Sequence, residues 1–100
     1  MAKPVMTGIW RGEVRGFHYA LDLVQLVNHV SGIIQVGGFE RTGNISGVCY
    51  YPAVILSGFF VKHGASFVGE FVDENTVTGT LKYQKDQAKF TFHRTHDTKL

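Results

Sequence analysis

Apolar and polar residues alternate with a period of two along nearly the whole chain. This period is typical of β-strands with one face against a core, and no stretch shows the 3.6-residue period of an amphipathic helix. Tyr19 to Val27 is the most crowded with apolar residues, but its β-branched and aromatic content favours a strand there too. The pattern predicts eight strands, near Gly8–Arg15, Phe17–Val27, Val30–Val36, Asn44–Tyr51, Val54–Lys62, Ser66–Val72, Thr76–Tyr83 and Ala88–Arg94.

Turn-forming residues separate the predicted strands. Gly37-Gly38 and Gly43-Asn44 lie in the longest connection, and Pro52 lies in one of the tightest. Every connection is short, and short connections join antiparallel neighbours in sequence order. The chain is therefore predicted to be all-β, with one domain over residues 1–100. Its eight-stranded antiparallel meander is expected to form a small β-barrel, closed or half-open according to whether the last strand reaches the first.

A short repeat supports the barrel. It consists of an apolar residue, then in most copies serine or threonine, then glycine, and its last four glycines are 11, 11 and 10 residues apart. By alternation each glycine falls on the inner face, where it allows the strand to bend and leaves room for aromatic rings opposite. The copies are Met6-Thr7-Gly8, Val30-Ser31-Gly32, Ile45-Ser46-Gly47, Leu56-Ser57-Gly58, Phe67-Val68-Gly69 and Val77-Thr78-Gly79.

Several segments resemble a known group of barrels. The opening Thr7-Gly8-Ile9-Trp10 resembles the Gly-x-Trp signature that begins the first strand of avidin-like and lipocalin-like proteins. Phe67-Val68-Gly69-Glu70-Phe71 and Val77-Thr78-Gly79-Thr80-Leu81 resemble the strand rhythm of avidin-like chains. The resemblance covers most of the chain as rhythm rather than identity. The avidin pattern of biotin contacts, which includes several tryptophans, is missing, so the resemblance implies the fold and not biotin binding.

The alternation assigns an inner face once Trp10 is taken as inward. Nearly all residues of this face are apolar, as expected for the core of a small barrel that side chains nearly fill. The predicted inner set is Trp10, Val14, Tyr19, Leu21, Leu23, Gln25, Val30, Ile34, Val36, Ile45, Cys49, Val54, Leu56, Phe67, Phe71, Val77, Leu81, Tyr83, Phe90 and Phe92.

A pocket at an open end of the barrel is the leading functional hypothesis. Tyr19, Gln25 and Tyr83 are the polar groups expected to point into it, with Trp10 at its floor. An apolar cup with a few convergent polar groups is typical of small-molecule sites. The sequence thus favours a non-enzymatic binding barrel for a small, largely apolar ligand, and a solid barrel without a cavity remains open.

The outer face supports a second hypothesis. On strands one, seven and eight it is polar, whereas on strands three to six it carries large apolar residues that would form one patch. Monomers rarely expose such a patch, so we expect a homo-oligomer, or a structural module that binds another protein through this face. The residues are Ile33, Val48, Tyr50, Ile55, Phe59, Val61, Val68 and Val72.

Composition and charge limit the kinds of partner, such as nucleic acid or a membrane, that the chain is expected to bind. The chain has 100 residues, 44% of them hydrophobic and 18% charged, as in a globular domain. The net charge of +2 is too small to indicate nucleic acid binding, although Arg11, Arg15, Lys82 and Lys89 fall on neighbouring outer strands. Because no apolar run approaches the length of a signal peptide or a membrane span, a soluble cytoplasmic protein is expected.

Catalytic and metal-binding patterns are weak. The single cysteine, Cys49, excludes an internal disulfide and has no evident histidine partner. His93 and His96 are the closest histidine pair, but they lie near the end of the chain without a third ligand. No glycine loop precedes a helix as phosphate binding would need. The sequence predicts no metal and no cofactor, and an enzyme with an active site at the barrel rim is the remaining alternative.

Overall fold

Eight antiparallel strands build the chain in a computed structural model, which describes residues 3–37, 41–60, 63–98 and 100. Each strand pairs with the next in sequence, and the last pairs with the first, so the sheet is a closed barrel. This confirms the all-β meander and resolves the choice between a closed and a half-open barrel in favour of closure. The strands are β1 (Gly8–Val14), β2 (Phe17–Leu26), β3 (His29–Val36), β4 (Arg41–Tyr50), β5 (Ala53–Phe60), β6 (His63–Asp73), β7 (Thr76–Tyr83) and β8 (Asp86–Arg94).

Strand bounds differ from the predicted ones mainly at the N-terminal ends of β4, β6 and β8. These strands begin two or three residues early, because tight hairpins extend the ladder into polar residues that the pattern assigned to turns. Tyr83 pairs with Asp86, for example, which leaves only two residues in the β7–β8 turn. Residues 61 and 62, which the prediction assigned to the fifth strand, lie outside the described residues.

The inner face matches the alternation. All predicted inner residues are buried except Tyr19, Gln25 and Tyr83, which lie near the ends of the barrel and are only partly covered. No change of face occurs around Tyr51-Pro52, since Cys49 before it and Val54 after it are both buried. The pattern missed four further buried apolar residues, namely Met6, Ile9, Ala20 and Ala65.

Two glycines on the inner face, Gly12 and Gly69, make room for aromatic rings, and of these only Gly69 belongs to the repeat. The repeat's Gly32, Gly47, Gly58 and Gly79 instead lie closest to backbone carbonyls of neighbouring strands. A Cβ placed on Gly12 would collide with the Phe92 ring and with the carbonyl oxygen of Thr91. A Cβ placed on Gly69 would lie 3.0 Å from Cζ of Phe90. The two phenylalanine rings therefore lie over backbone that only glycine can provide, and their centroids are 4.8 Å apart.

The N-terminal segment closes one end of the barrel, which we call the Met6 end. Met6 is buried there, and its amide N–H donates to Oε1 of Gln25 at 2.8 Å. The indole N–H of Trp10 donates to the carbonyl oxygen of Met6 at 2.9 Å. At the same end, the N–H of Phe71 donates to the carbonyl oxygen of Pro52. A cavity of about 300 Å³ remains at this end, between the N-terminal segment and residues that include Gln25 and Tyr51.

Candidate functional site

A cavity of about 330 Å³ lies at the end of the barrel opposite Met6, which we call the pocket end. It lies among the β1–β2 hairpin, the C-terminal end of β3 and the β7–β8 hairpin. Its walls combine five apolar side chains with five polar or charged ones, two of which are tyrosines. The lining residues are Val14, Arg15, Phe17, Tyr19, Val36, Leu81, Tyr83, Asp86, Gln87 and Ala88.

Tyr19 and Tyr83 reach this cavity from different hairpins. Tyr19 faces inward from the beginning of β2, and Tyr83 faces inward from the last residue of β7. The Tyr19 ring packs against Phe67 and Phe92, with centroids 6.4 Å and 6.2 Å away. Its pKa is raised, first by burial and then by the neighbouring Tyr83. Tyr19 therefore keeps its phenolic proton at neutral pH and can donate it in a hydrogen bond.

The barrel middle beneath Tyr19 is filled with aromatic rings. Phe67 packs against Phe90 and Phe92, with centroid distances of 5.6 Å and 5.9 Å. All three phenylalanines are buried. The Tyr19 ring joins this cluster to the cavity, and Trp10, the predicted floor, is not among the lining residues.

Arg15 spans the mouth of the cavity between β1 and β8. Its guanidinium Nη2 donates to the carbonyl oxygen of Gln87 at 2.7 Å. The β1–β8 ladder registers only Trp10 with Arg94 and Arg11 with His93, so this side chain joins the two strands where the ladder has ended. Arg15 also has a φ of 51°, a left-handed conformation that a non-glycine residue adopts at some cost. An arginine held in this conformation positions a cation at the mouth.

The structure brings together two of the four predicted pocket residues and separates the other two. Gln25 lies at the Met6 end, where it accepts from the N–H of Met6 and donates to the carbonyl oxygen of Val27. Trp10 is completely buried beneath Met6, and its ring meets Phe71 edge to face at 6.0 Å. Gln25 and Tyr19 share one face of β2 but lie near its opposite ends. Alternation predicts whether a side chain faces the inside or the outside of the barrel, but it does not predict which end of the barrel the side chain lies near.

The predicted outer residues form rows across neighbouring strands. Ile55 pairs with Val48 on β4 and with Val68 on β6, so the three side chains lie side by side on the outside. Phe59 lies four residues along β5 from Ile55. Tyr50, at the end of β4, is also exposed. We call this surface the apolar face and define it as Ile33, Val48, Tyr50, Ile55, Phe59 and Val68; Val61 lies outside the described residues.

A row of serines crosses the apolar face between Phe59 and Ile55. Ser31 pairs with Ser46, Ser46 with Ser57, and Ser57 with Ser66, which gives one serine on each of β3 to β6. Because serine is short, this row forms the floor of a shallow groove of about 860 Å³, with Phe59 along one side. The signal for this row was present in the sequence, since three of these serines belong to copies of the glycine repeat.

Other candidate chemistry is dispersed. Among the residues that the structure describes, no three His, Cys, Asp or Glu side chains come together to hold a metal ion. Cys49 is buried, and burial raises the pKa of its thiol. On the β1 side, Arg11 pairs with Asp97 at 2.9 Å, so part of its charge is already neutralised. The stripe of basic residues is thus interrupted.

Comparison with protein families, with curated proteins and with solved structures finds no match to this chain. Within residues 3–37, 41–60, 63–98 and 100, no helix is long and apolar enough to cross a membrane.

Proposed function

We propose that the chain is a non-enzymatic binding barrel that holds a small, largely apolar molecule at its pocket end. The observation that carries this proposal is the 330 Å³ cavity with mostly apolar walls and the Tyr19 and Tyr83 side chains directed into it. Ligand sites in proteins have volumes upwards of about 300 Å³ and combine apolar walls with a few polar groups. The phenylalanine cluster fills the middle of the barrel. The cavity at the Met6 end is lined in part by Lys3, Gln25 and Asn28, so the pocket end suits an apolar ligand better.

The walls define the kind of molecule that fits. A cavity of about 150 Å³ accepts one benzene ring, so this one has room for about two rings or an equivalent branched chain. Val14, Leu81 and Ala88 offer apolar contact, while Arg15 and Asp86 lie at the mouth. The ligand would therefore place an apolar body among the aliphatic walls and a polar group near the tyrosine hydroxyls or the mouth.

The chemistry of the pocket favours binding over catalysis. A general base works best with a pKa near the operating pH. The pKa of Tyr19 is shifted upward, away from that range, which suits hydrogen-bond donation rather than proton abstraction.

Native mass spectrometry of the freshly purified protein, compared with its denatured mass, tests the proposal. We expect an additional mass of small-molecule size that disappears on denaturation, or, for protein purified without ligand, saturable binding of a naphthalene-based fluorescent probe. Neither bound mass nor saturable probe binding would contradict the proposal.

A cavity-filling variant locates the binding. Ala88→Phe places a ring in the cavity, and we expect it to weaken probe binding at least about tenfold, because the free volume is occupied. Lys89→Phe is the matched control, since Lys89 is the next residue on β8 and is exposed on the outside. Equal probe affinity in the two variants would place the probe elsewhere on the protein.

A further inference from the structure

The apolar face offers a second, independent site on the opposite surface of the sheet from the ligand pocket. Its central side chains are well exposed: Phe59 at 66%, and Ile55 and Val68 each at 49%. These three belong to two adjacent strands and flank the serine row. We propose that two copies of this chain pair through the apolar face, related by a two-fold axis that runs parallel to the serine row.

The exposed area agrees with a dimer. Large side chains exposed to this degree present on the order of 600 Å² of apolar surface over the apolar face, where a partner in a standard interface contributes roughly 800 Å². The serine row between the apolar rows supplies further area. Monomeric proteins seldom leave a contiguous patch of this size in water, because its burial is worth about 25 cal/mol per Å².

The charges favour a second copy as the occupant. Among the described residues that face outward from β3, β4 and β5, none is Lys, Arg, Asp or Glu, and this matches the depletion of charge at interface centres. Charge is confined to the margins of this face, where Glu70 follows Val68 on β6 and Lys82 lines the serine groove. A second copy presents an equally neutral surface, and the net charge of +2 causes little repulsion between the two.

The arrangement of rows defines the symmetry. The row of Val48, Ile55 and Val68 lies on one side of the serine row, and Phe59 lies on the other side. A two-fold axis along the serine row therefore brings Phe59 of each copy against Ile55 and its neighbours in the other copy, and serines meet serines at the centre. The contact is isologous, so it closes at two copies and exposes no further binding surface.

Charged substitutions test the pairing, with mass measured by sedimentation or light scattering over a concentration series. The unmodified chain is expected to be a dimer. Ile55→Glu and Phe59→Lys are each expected to raise the dissociation constant roughly 30-fold or more, as when a central contact is lost. Val72→Glu and Val72→Lys are matched controls. Val72 is 58% exposed, but Glu70 and the register irregularity between Phe71 and Asp73 separate it from Val68, so it is not part of the apolar face in which the sequence placed it. Trp10 fluorescence verifies that each variant remains folded.

Mixing the two variants tests the axis. In a mixed pair, Glu at position 55 of one copy would face Lys at position 59 of the other, while the second contact keeps its native Ile55 and Phe59. We therefore expect the mixture to form a dimer although each variant alone is a monomer. A monomeric unmodified chain, an unchanged mass in both variants, or a mixture that stays monomeric would each overturn the proposed pairing. None of these results bears on the ligand pocket, which native mass spectrometry tests separately.

Discussion

The guanidinium carbon of Arg94 lies 4.4 Å from the centroid of the Trp10 ring, within the range of a cation–π contact. The same guanidinium donates to the carbonyl oxygens of Thr7 at 2.6 Å and Glu74 at 2.8 Å, and to Oδ1 of Asn75 at 3.1 Å. Burial lowers the pKa of Arg94, an effect that Glu74 opposes, and arginine keeps its charge at neutral pH. The Arg94 side chain thus links Thr7, which immediately precedes β1, to the β6–β7 turn, and it covers the buried Trp10 ring.

Replacing this arginine while keeping its charge should weaken the fold. We expect Arg94→Lys to lower the free energy of unfolding by about 2–4 kcal/mol, because an ammonium group cannot reach three separate acceptors in the plane of a guanidinium. Urea unfolding followed by Trp10 fluorescence measures the change. Arg11→Lys is the control, since the exposed pair of Arg11 with Asp97 should contribute well under about 1 kcal/mol. Equal losses in the free energy of unfolding would show that the Arg94 contacts contribute no more to stability than the exposed Arg11–Asp97 pair.

Gly79 is expected to tolerate no side chain. It pairs with Gly69 across β6 and β7, and a Cβ at Gly79 would collide with the carbonyl oxygen of Val68 and with Cα of Gly69. Because both colliding atoms belong to the backbone, the strands would have to separate. We expect Gly79→Ala to destabilise the barrel by about 3 kcal/mol or more, at the upper end for single substitutions.

Gly64→Ala is the matched control for this substitution. The nearest atom to a Cβ at Gly64 is the carbonyl oxygen of Gly58, at 3.8 Å, so the methyl group has room. We expect a change within about 0.5 kcal/mol in thermal or urea unfolding, as for surface positions in general. Comparable losses in both variants would indicate that strand propensity, and not close backbone approach, explains the glycines.

Cys49 should report on unfolding. It is buried, and the raised pKa of its thiol reduces the thiolate that reacts with disulfide reagents. We expect the native protein to react with such a reagent at least about 100-fold more slowly than the protein in 6 M guanidinium, since reaction requires opening of the barrel. Rapid reaction of the native protein would show that β4 opens locally around Cys49.

The fold was predictable because two sequence signals agree. Period-two alternation located the strands and separated inner from outer residues, and the glycine repeat indicated strong coiling and therefore a barrel. Of the buried residues that the prediction missed, Ala65 continues the inner-face alternation of Phe67 and Phe71 and was missed because the predicted strand began at Ser66. Met6 and Ile9 were missed because their burial does not follow the alternation. Met6 precedes the first strand, while Ile9 faces outward near the point where the chain bends back and Asp97 meets Arg11.

The candidate sites were predictable only in part. Tyr19 and Tyr83 line the same cavity. Gln25 lies at the Met6 end, because it shares a face of β2 with Tyr19 but is six residues further along the strand. The sequence did not predict the serine row, because the register between neighbouring strands depends on the lengths of the turns that join them. Only when the ladders are known does it follow that Ser46, Ser57 and Ser66 are direct neighbours.

Tyr19 makes the stability of the barrel depend on pH in the alkaline range. Its pKa in the folded protein is raised above the ordinary value of 10.0, so folding favours the protonated phenol. The stabilisation is complete below pH 10 and is lost as pH rises from there through the folded-state pKa, because the unfolded chain then gives up the proton more readily. We expect urea unfolding to show a fall in stability as the pH rises above 10 that is smaller in Tyr19→Phe. Identical profiles for Tyr19→Phe and the unmodified protein would contradict the assignment.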